Sequence, residues 1–348
     1  MSENFSTRLI DWYKSHQRNL PWRNTSDPYK IWLSEIILQQ TRVKQGLPYF
    51  NKFVSQYPTV YDLAKAPEDE VMRLWQGLGY YSRARNLHAC AKSVVKDYDG
   101  KFPDNYDELL KLKGIGKYTA AAIASFAFSE AVPVVDGNVF RVLARFFNIE
   151  DDIAEPKTFT KFFNVANELI PEDQAANFNQ AMMELGATVC TPKKFDCGAC
   201  PIAQDCTARI QHRQSELPFK KKKLKIKNRY LYYLILQNGE KLAMKKRGAD
   251  DIWQGLFDFD LIEAESSLSS ADILKLISMR HSNFEICEIS EPIIHILSHQ
   301  RLEAVFVELK SETENILSDS SLKYYTKHEV EQLPKPRLIE NYLTNKDF

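Results

Sequence analysis

The chain lacks several features that would assign it to a special class of protein. Its 348 residues contain no apolar run approaching the length of a membrane span, and the first residues lack the apolar segment of a secretion signal. There is no internal repeat, and the only low-complexity tract is one short lysine run. We therefore expect a soluble protein of a reducing compartment, located in the cytoplasm and associated with the nucleoid if it binds DNA.

Net charge is also lacking, because 46 basic residues balance 46 acidic ones. The balance breaks down locally. Residues 213–229 carry eight basic side chains against Glu216 alone, whereas residues 230–348 carry 13 basic and 20 acidic side chains. A polyanion such as DNA must therefore be attracted by local patches in the first part and by the basic segment, because the tail repels phosphate.

Length and composition indicate two or three ordinary globular domains, since 44% of the residues are hydrophobic and 26% are charged. Helical patterns fill the chain to about residue 212. Strand-like segments follow at residues 229–237, 241–246, 256–261, 284–289 and 302–309, with one helix near 271–279. The sequence predicts an all-α first part and an α/β second part.

A glycine turn lies between two helical segments near the middle of the first part. Gly114 and Gly116 flank Ile115 just before the apolar helix predicted for 118–128. Glycine permits positive φ and close approach of the backbone to a ligand. Amide groups at a helix start attract anions, so the turn is a candidate phosphate site, although such a turn also occurs as a plain connector.

Two carboxylates are candidates for acid–base chemistry. Glu35 lies within the apolar helix predicted for residues 29–43, where lost hydration favours its protonated form and suits a general acid. Asp136 follows the extended run 132–135 and precedes a helix, where a carboxylate stays ionised. The plainer alternatives are a buried structural glutamate and a simple helix N-cap.

Four cysteines lie within seventeen residues, at Cys190, Cys197, Cys200 and Cys206. In a reducing compartment such a group predicts one metal site, and its spacing permits either four-thiolate zinc or an iron–sulfur cluster. The other two cysteines, Cys90 and Cys287, are isolated, and we predict both to be small buried hydrophobic residues.

Several segments, in one order along the chain, resemble the helix-hairpin-helix base-excision DNA glycosylases and, among them, the MutY-type adenine DNA glycosylases. They are Leu-Pro-Trp-Arg (20–23), Ser-Glu-Ile-Ile-Leu-Gln-Gln-Thr (34–41), Gly-Leu-Gly-Tyr-Tyr (77–81), Leu-Lys-Gly-Ile-Gly-Lys-Tyr-Thr-Ala (112–120), Val-Asp-Gly-Asn-Val (135–139), Phe-Asn-Gln-Ala-Met-Met-Glu-Leu-Gly-Ala (178–187) and the four cysteines. The resemblance is dense over residues 5–210 and thinner to about residue 345.

This resemblance implies catalytic roles for four residues. Glu35 would protonate N7 of a flipped adenine and help to deliver water, and Asp136 would stabilise the sugar cation or form a covalent intermediate. Tyr118 and Asn138 would position the sugar. A protonated acid beside an ionised carboxylate is also the pair that glycoside cleavage requires.

The resemblance also implies a set of residues that contact DNA. The adenine pocket would be lined by Trp22, Arg23 and Gln180, and the duplex would be entered on the 8-oxoguanine side by Gln40 and Tyr80. DNA phosphates would bind at Gly114 and Gly116. The loop that reads 8-oxoguanine would contain Ser298 and His299. Leu297 stands where the family has phenylalanine in this loop, which weakens any stacking role there. The implied cofactor is a [4Fe–4S] cluster on the four cysteines, and the implied partner is duplex DNA with A:8-oxoguanine or A:G mispairs, bound by a monomer.

The resulting architecture has two helical lobes and a Nudix-like α/β domain. Residues 1–27 and 137–212 would form the cluster lobe, 28–136 a helical barrel with the hairpin, 213–228 a basic linker, and 229–348 the Nudix-like domain. Three alternatives remain. An endonuclease III-like lyase needs a lysine where Tyr118 stands, a Nudix hydrolase needs a glutamate series missing from residues 255–277, and a non-enzymatic DNA-binding module leaves the Glu35–Asp136 pair unexplained.

Overall fold

The computed structural model describes residues 2–221, 226–249, 251–281, 284–311, 317 and 319–346. These residues form two compact units. The first, which we call the helical unit, comprises residues 1–65 and 86–222, and the second, the sheet unit, comprises 66–85 and 223–348. Among the described helices, none combines the length and apolarity that crossing a bilayer requires.

Fifteen α-helices occur in the described residues. Their bounds are α1 Ser2–His16, α2 Pro28–Leu38, α3 Val43–Gln56, α4 Val60–Lys65, α5 Glu68–Leu74, α6 Ser82–Tyr98, α7 Tyr106–Leu109, α8 Lys117–Phe128, α9 Gly137–Phe147, α10 Pro156–Asn167, α11 Ala175–Thr188, α12 Thr207–Ile210, α13 Ser270–Arg280, α14 Lys327–Gln332 and α15 Arg337–Thr344. Short 3₁₀ helices lie at Pro21–Arg23, Glu172–Gln174 and Ala203–Asp205.

Eight strands occur in the same described ranges, all in the sheet unit. Their bounds are β1 Lys227–Asn238, β2 Lys241–Lys246, β3 Phe257–Asp258, β4 Asp260–Ala264, β5 Glu285–Ile289, β6 Ile293–Ile296, β7 Gln300–Ser311 and β8 Lys323–Thr326. All five predicted strand segments are confirmed, but residues 256–261 divide into the short β3 and the start of β4. The strands β6 and β8 and the helices α14 and α15 were missed.

Local sequence explains where α2 begins and ends. The Asp27 side chain accepts a hydrogen bond from the Tyr29 amide at 3.0 Å, and Pro28 occupies the first turn, where its missing N–H costs nothing. The helix ends at Leu38, so the prediction of one helix over residues 29–43 was wrong. Gln40 adopts a φ of 55° before α3 begins.

One apolar core joins the N-terminal helix to helices near the middle of the chain. Buried side chains of α1 pack with those of α9, α10 and α11, and three of the four clustered cysteines lie half-buried against them. The residues of α1 thus pack against residues more than 100 positions later in the sequence. Because α1 contacts α11 directly, it helps to fix the helix that later proves central to the site.

The centre of the sheet unit is the parallel pair of β1 and β7, which matches Lys227 with Gln300 through to Asn238 with Ser311. β2 and β4 pair antiparallel with β1, and β5 and β6 pair antiparallel with β7. Alternate residues of β1 enter two cores, one packed against α14 and α15 and the other against α13. Burial on both faces explains why β1 lacks the polar alternation of a half-exposed strand.

The glycine turn differs in one respect from its sequence interpretation. Gly114 has a φ of 82°, and a Cβ there would lie 2.7 Å from the Cβ of Asn86, so glycine is required twice over. Gly116 has a φ of −97° and ψ of 178° as the N-cap of α8, a conformation open to any residue. Positive φ is therefore needed at only the first of the two glycines.

Two smaller expectations are also resolved. Cys90 is buried as predicted, whereas Cys287 is exposed at a register shift of β5, so its predicted burial was wrong. Within the predicted basic linker 213–228, residues 222–225 lie outside the described residues. The four-part division into lobes, linker and tail remains a prediction beside the two compact units.

Gly186 provides a test of the close packing between α11 and α9. A Cβ there would lie 2.5 Å from the Asn138 Cβ and 3.0 Å from its Cα, so Gly186→Ala must displace backbone. We expect a loss of about 1–3 kcal/mol in the free energy of unfolding, measured by thermal or urea denaturation. Gly137→Ala is the matched control, because a Cβ there meets nothing within 4 Å. Equal stability of the two variants would contradict this packing.

Candidate active site

A cavity of about 530 Å³ opens within the helical unit. Its walls include seven residues singled out from the sequence, contributed by five separate segments of the chain: Trp22, Arg23, Glu35, Tyr118, Asp136, Asn138 and Gln180. Residues 100 positions apart in sequence thus face one space. Such a convergence of polar and titratable groups in a concave site is typical of an active site.

Glu35 contributes a dry carboxyl group to this cavity. It is 4% exposed, and its neighbours Ser34, Ile36 and Ile37 along α2 are also buried. The Tyr118 hydroxyl donates a 2.5 Å hydrogen bond to Oε2. Burial raises the pKa of Glu35 to about 7, since the opposing effects of the Tyr118 hydrogen bond and Arg23 are smaller. A carboxyl group with this pKa can donate a proton near neutral pH.

Asp136 is the N-cap of α9 and faces the same cavity. Its Oδ1 accepts hydrogen bonds from the amides of Asn138 at 2.9 Å and Val139 at 2.8 Å, and its Oδ2 accepts one from the Asn138 side chain at 2.7 Å. Burial raises the pKa of Asp136, while these hydrogen bonds and Arg141 oppose the rise. Three donors aimed at one carboxyl group favour its ionised form, because a carboxylate can accept all of them.

The position of Asp136 is fixed by α11. Asn179, which is 1% exposed, donates from its side chain to Ser125 Oγ and to the Val132 carbonyl, both at 2.9 Å. Its Oδ1 accepts the Val134 amide at 2.9 Å. One buried side-chain amide therefore provides hydrogen-bond partners for backbone groups of the extended run that leads to Asp136. In a sheet, a neighbouring strand would provide such partners.

The cavity lining also combines an aromatic ring with polar groups. Trp22 is 8% exposed and packs edge-on against Phe50, with 5.1 Å between ring centroids. Gln180 accepts a 2.5 Å hydrogen bond from Tyr13, so its amide nitrogen remains available as a donor. Arg23 donates to Glu184 at 2.6 Å. The wall thus offers a flat apolar surface beside hydrogen-bonding groups, which suits a planar heterocyclic base.

The four clustered cysteines line a second, smaller cavity. No three cysteine, histidine, aspartate or glutamate residues lie close enough to hold a single metal ion, as far as the described residues show. The four thiols nevertheless line one cavity, and such a donor set fits a metal centre with thiolate ligands.

Two arginines of α9 hold the cysteine segment. Arg145 is 2% exposed and donates to Cys190 Sγ at 3.2 Å and to the Thr191 carbonyl at 2.9 Å. Arg141 donates to the Cys190 carbonyl at 2.7 Å and to the Asn138 side chain at 2.8 Å. The cysteine segment and the Asp136 cap are therefore linked by consecutive hydrogen bonds.

The remaining predicted residues lie elsewhere. Gln40 is exposed beyond the end of α2, and Gly114 and Gly116 lie in the turn before α8. In the sheet unit, the Tyr80 hydroxyl hydrogen-bonds Ser298 Oγ. Ser298 and His299 are exposed in the turn between β6 and β7, where Leu297 donates its amide to the Gln300 carbonyl at 2.8 Å. None of these residues lines the 530 Å³ cavity.

Sequence reasoning missed four residues that shape the site: Arg18, Asn179, Glu184 and Arg141. The signal was present for Glu184, which is fully buried on α11 and resembles Glu35 in being a carboxylate within an apolar helix. For Arg18 and Arg141 there was no comparable signal, because an arginine in a loop or on a helix is usually solvated.

Comparison with known proteins supports this description. Residues 33–168 match the HhH-GPD superfamily of base excision DNA repair proteins, and residues 231–345 match the NUDIX domain. The adenine DNA glycosylase of Buchnera aphidicola subsp. Acyrthosiphon pisum is 31% identical over 344 residues, which is 98% of this chain and 97% of that protein. The human adenine DNA glycosylase is 42% identical over 222 residues, covering 61% of this chain and 41% of the human protein.

Among solved structures, a thermostable thymine-DNA glycosylase is similar with a TM-score of 0.56 and 29% identity. The similarity covers 60% of this chain and 97% of that one. The predicted combination of a helical glycosylase fold and a Nudix-like domain is thereby confirmed. The identity and coverage shared with the Buchnera protein show that the chain belongs to the adenine DNA glycosylase family.

Proposed function

We propose that this protein hydrolyses the N-glycosidic bond of adenine mispaired with 8-oxoguanine or guanine in duplex DNA, after the adenine has been flipped out. The proposal is supported above all by one observation: Glu35 and Asp136 line the same cavity, and the Tyr118 hydroxyl donates a hydrogen bond to Glu35. A binding module would not need a dry acid beside a hydrogen-bonded carboxylate, so catalysis is favoured over binding alone.

Each carboxyl group has a separate task. Glu35 would donate its proton to N7 of adenine while the bond from N9 to C1′ breaks, because neutral adenine leaves readily and its anion does not. Asp136 would stabilise the positive charge on the sugar or bond to C1′, with Asn138 holding it in place. Water then adds to C1′ and returns a proton to Glu35, so the products are adenine and an abasic site.

The pocket wall would recognise the flipped base. Trp22 would stack against the adenine ring, and Arg23 and Gln180 would hydrogen-bond its edge. Gln40 and Tyr80 would enter the duplex on the 8-oxoguanine side and fill the gap that the flipped adenine leaves. Both residues have positive φ, at 55° and 49°, which is uncommon outside glycine and often occurs at functional positions.

The DNA backbone would bind at the helix-hairpin-helix turn. Gly114 and Gly116 leave the amides at the start of α8 accessible, since a Cβ at Gly116 would meet nothing within 4 Å. Phosphate is the natural ligand of such amides. We propose double-stranded DNA as the macromolecular partner, bound by a monomer in the cytoplasm at the nucleoid.

The cysteine site would hold a [4Fe–4S] cluster through Cys190, Cys197, Cys200 and Cys206. Four thiols that line one cavity support a metal centre at this place, and membership of the adenine DNA glycosylase family favours the cluster. A bound cluster would supply structural cross-linking of the segment between α11 and α12. The chain's own residues, through Arg141 and Arg145, would transmit that rigidity to α9.

The turn between β6 and β7 would read the 8-oxoguanine. Ser298 is exposed and bonded to Tyr80, which is itself 48% exposed. A hydroxyl can accept from the N7–H that 8-oxoguanine has and guanine lacks. His299 is the neighbouring polar group. This assignment makes the sheet unit a reader of the lesion.

Nucleotide hydrolysis by the sheet unit is the second candidate, and one contact disfavours it. Between Gly255 and Ile277 the glutamates are Glu263 and Glu265. Glu263 is bonded through both oxygens to Arg229, at 2.7 and 2.5 Å, so it is not free to bind Mg²⁺. Turnover of oxidised nucleotides with Mg²⁺ by the full-length protein, but not by a Glu265→Gln variant, would support the alternative.

Glu35→Gln tests the acid assignment. The variant keeps an acceptor for Tyr118 but loses the proton, so adenine release from A:8-oxoguanine duplex should fall about 10²–10⁴-fold in single-turnover assays. In the wild type the rate should decline as pH rises above about 7, because the ionised carboxylate cannot donate. An unchanged rate in the variant would remove Glu35 from the mechanism. C:8-oxoguanine duplex is the substrate control.

The stability of Glu35→Gln relative to wild type should also depend on pH, and it should rise as pH rises. The raised pKa of Glu35 means that its stabilising contribution is full below pH 4.5 and is lost as pH rises through about 7. Glutamine cannot ionise, so the Tm of Glu35→Gln relative to wild type should increase between about pH 5 and about pH 8. A pH-independent difference would show that position 35 does not titrate in this range.

Lyase chemistry is tested by exchanging residues at the start of α8. The Lys117 Nζ lies 4.9 Å from the Phe159 ring centroid and does not line the cavity, whereas Tyr118 does. Borohydride trapping on abasic DNA should therefore give little adduct with wild type or Lys117→Ala, and a clear adduct with Tyr118→Lys. Lys113→Ala is the matched lysine control. A strong wild-type adduct that disappears in Lys117→Ala would establish a lyase.

Ser298→Ala tests recognition of the lesion. Loss of one hydrogen bond is worth about 0.5–1.5 kcal/mol, so the preference for A:8-oxoguanine over A:G should fall about 2–10-fold. Ser278→Ala, on α13, is the control because its hydroxyl donates a hydrogen bond to the Lys275 carbonyl one turn earlier on the same helix. Unchanged preference in Ser298→Ala would locate lesion recognition elsewhere.

A further inference from the structure

Glu184 is a fully buried carboxylate beside the cavity. Its Oε1 accepts the Arg18 amide at 3.1 Å and Arg18 Nε at 2.7 Å, and its Oε2 accepts Arg18 Nη2 at 2.7 Å. Oε2 also accepts Arg23 Nη2 at 2.6 Å. Both arginines line the cavity with Glu35, while Glu184 lies behind them.

This arrangement keeps Glu184 ionised. Burial alone would raise the pKa of Glu184, but the hydrogen bonds and positive charges of Arg18 and Arg23 lower it to about 2. Two guanidinium groups and one carboxylate leave a net charge of +1 at this wall. Without the carboxylate the same wall would carry two buried or half-buried positive charges.

The net charge matters because Glu35 must hold a proton. The charged and titratable groups facing it come from every neighbouring element: Tyr118 on α8, Asp136 before α9, Arg23 on the 3₁₀ helix, Arg18 before that helix, and Arg42 and Lys44 at the start of α3. Positive charge at Arg23 lowers the pKa of Glu35. More positive charge at this wall would therefore weaken the acid's hold on its proton.

We propose that Glu184 is a positioning residue of the glycosylase reaction: it fixes Arg18 and Arg23 at the cavity wall and cancels one of their charges, so that Glu35 remains protonated near neutral pH. The inference rests on the proposed function of Glu35 as general acid. It gives Glu184 a role that acts entirely through Arg18 and Arg23, since the geometry places it out of contact with a base in the cavity.

The test is the pH profile of adenine release from A:8-oxoguanine duplex by the full-length protein with its metal centre, measured in single-turnover assays. In Glu184→Gln the decline at high pH should move downward by about one unit. When each profile is scaled to its own plateau, the variant's rate on that limb should then be about tenfold below the wild-type rate at the same pH. In Arg18→Met the decline should move upward. The double variant, which restores the net charge of +1, should return the decline towards the wild-type pH.

Parallel profiles that differ from wild type only by a constant factor would overturn the inference, because a purely structural role lowers the rate at every pH alike. Tm and iron content report whether each variant folds. If Glu184→Gln does not fold, Arg18→Met decides, and a profile without an upward shift rejects the proposal. Failure of the proposed function looks different, because then wild type releases no adenine or Glu35→Gln retains the full rate.

Discussion

The structure depends on keeping one carboxyl group away from water. Glu35 lies on a helix whose other sides are apolar, so burial opposes its ionisation and gives it a proton to donate. The proposed chemistry also requires the second carboxyl group to be ionised, which burial without hydrogen-bond donors would oppose. Asp136 differs because backbone amides at a helix start and one side-chain amide hold its charge. Two similar functional groups thus acquire two chemical states from two kinds of surroundings.

Helix α11 converts this electrostatic arrangement into a fixed geometry. Along one helix, Asn179 holds the strand-like run before Asp136, Gln180 faces the cavity, Glu184 binds the two arginines, and Gly186 lets α9 approach closely. Gln180 and Glu184 are four residues apart and Asn179 and Gly186 are seven apart, and both spacings place residues on the same side of a helix. A shift of this helix by a fraction of an ångström would move both walls of the cavity together. The site is consequently more rigid than four separate loops would make it.

Most of the fold could be predicted from the sequence, and the features that could not be predicted have physical causes. Long apolar segments such as β1 and α8 were identified from their composition, whereas β6 and β8 are only four residues long, and β8 pairs with β2, which lies far earlier in the chain. The helix over residues 29–43 was drawn too long because Gln40 breaks it through backbone conformation, not composition. Glu35 and Asp136 could be nominated from their flanking residues. Their shared cavity could not, since it arises from packing across a hundred residues.

The cysteine segment is connected to the candidate catalytic residues through two arginines of α9. Arg141 and Arg145 lie one turn apart on α9, and both point away from the cavity towards the chain around Cys190. Buried guanidinium groups need acceptors, and here carbonyls and a cysteine sulfur supply them. Arg141 also holds Asn138, the residue whose side chain binds Asp136. Thiolates bound to a metal centre would add negative charge beside these arginines. Under the proposed function, a bound cluster would stiffen α9, whose first residue follows Asp136, and would act on catalysis through that position.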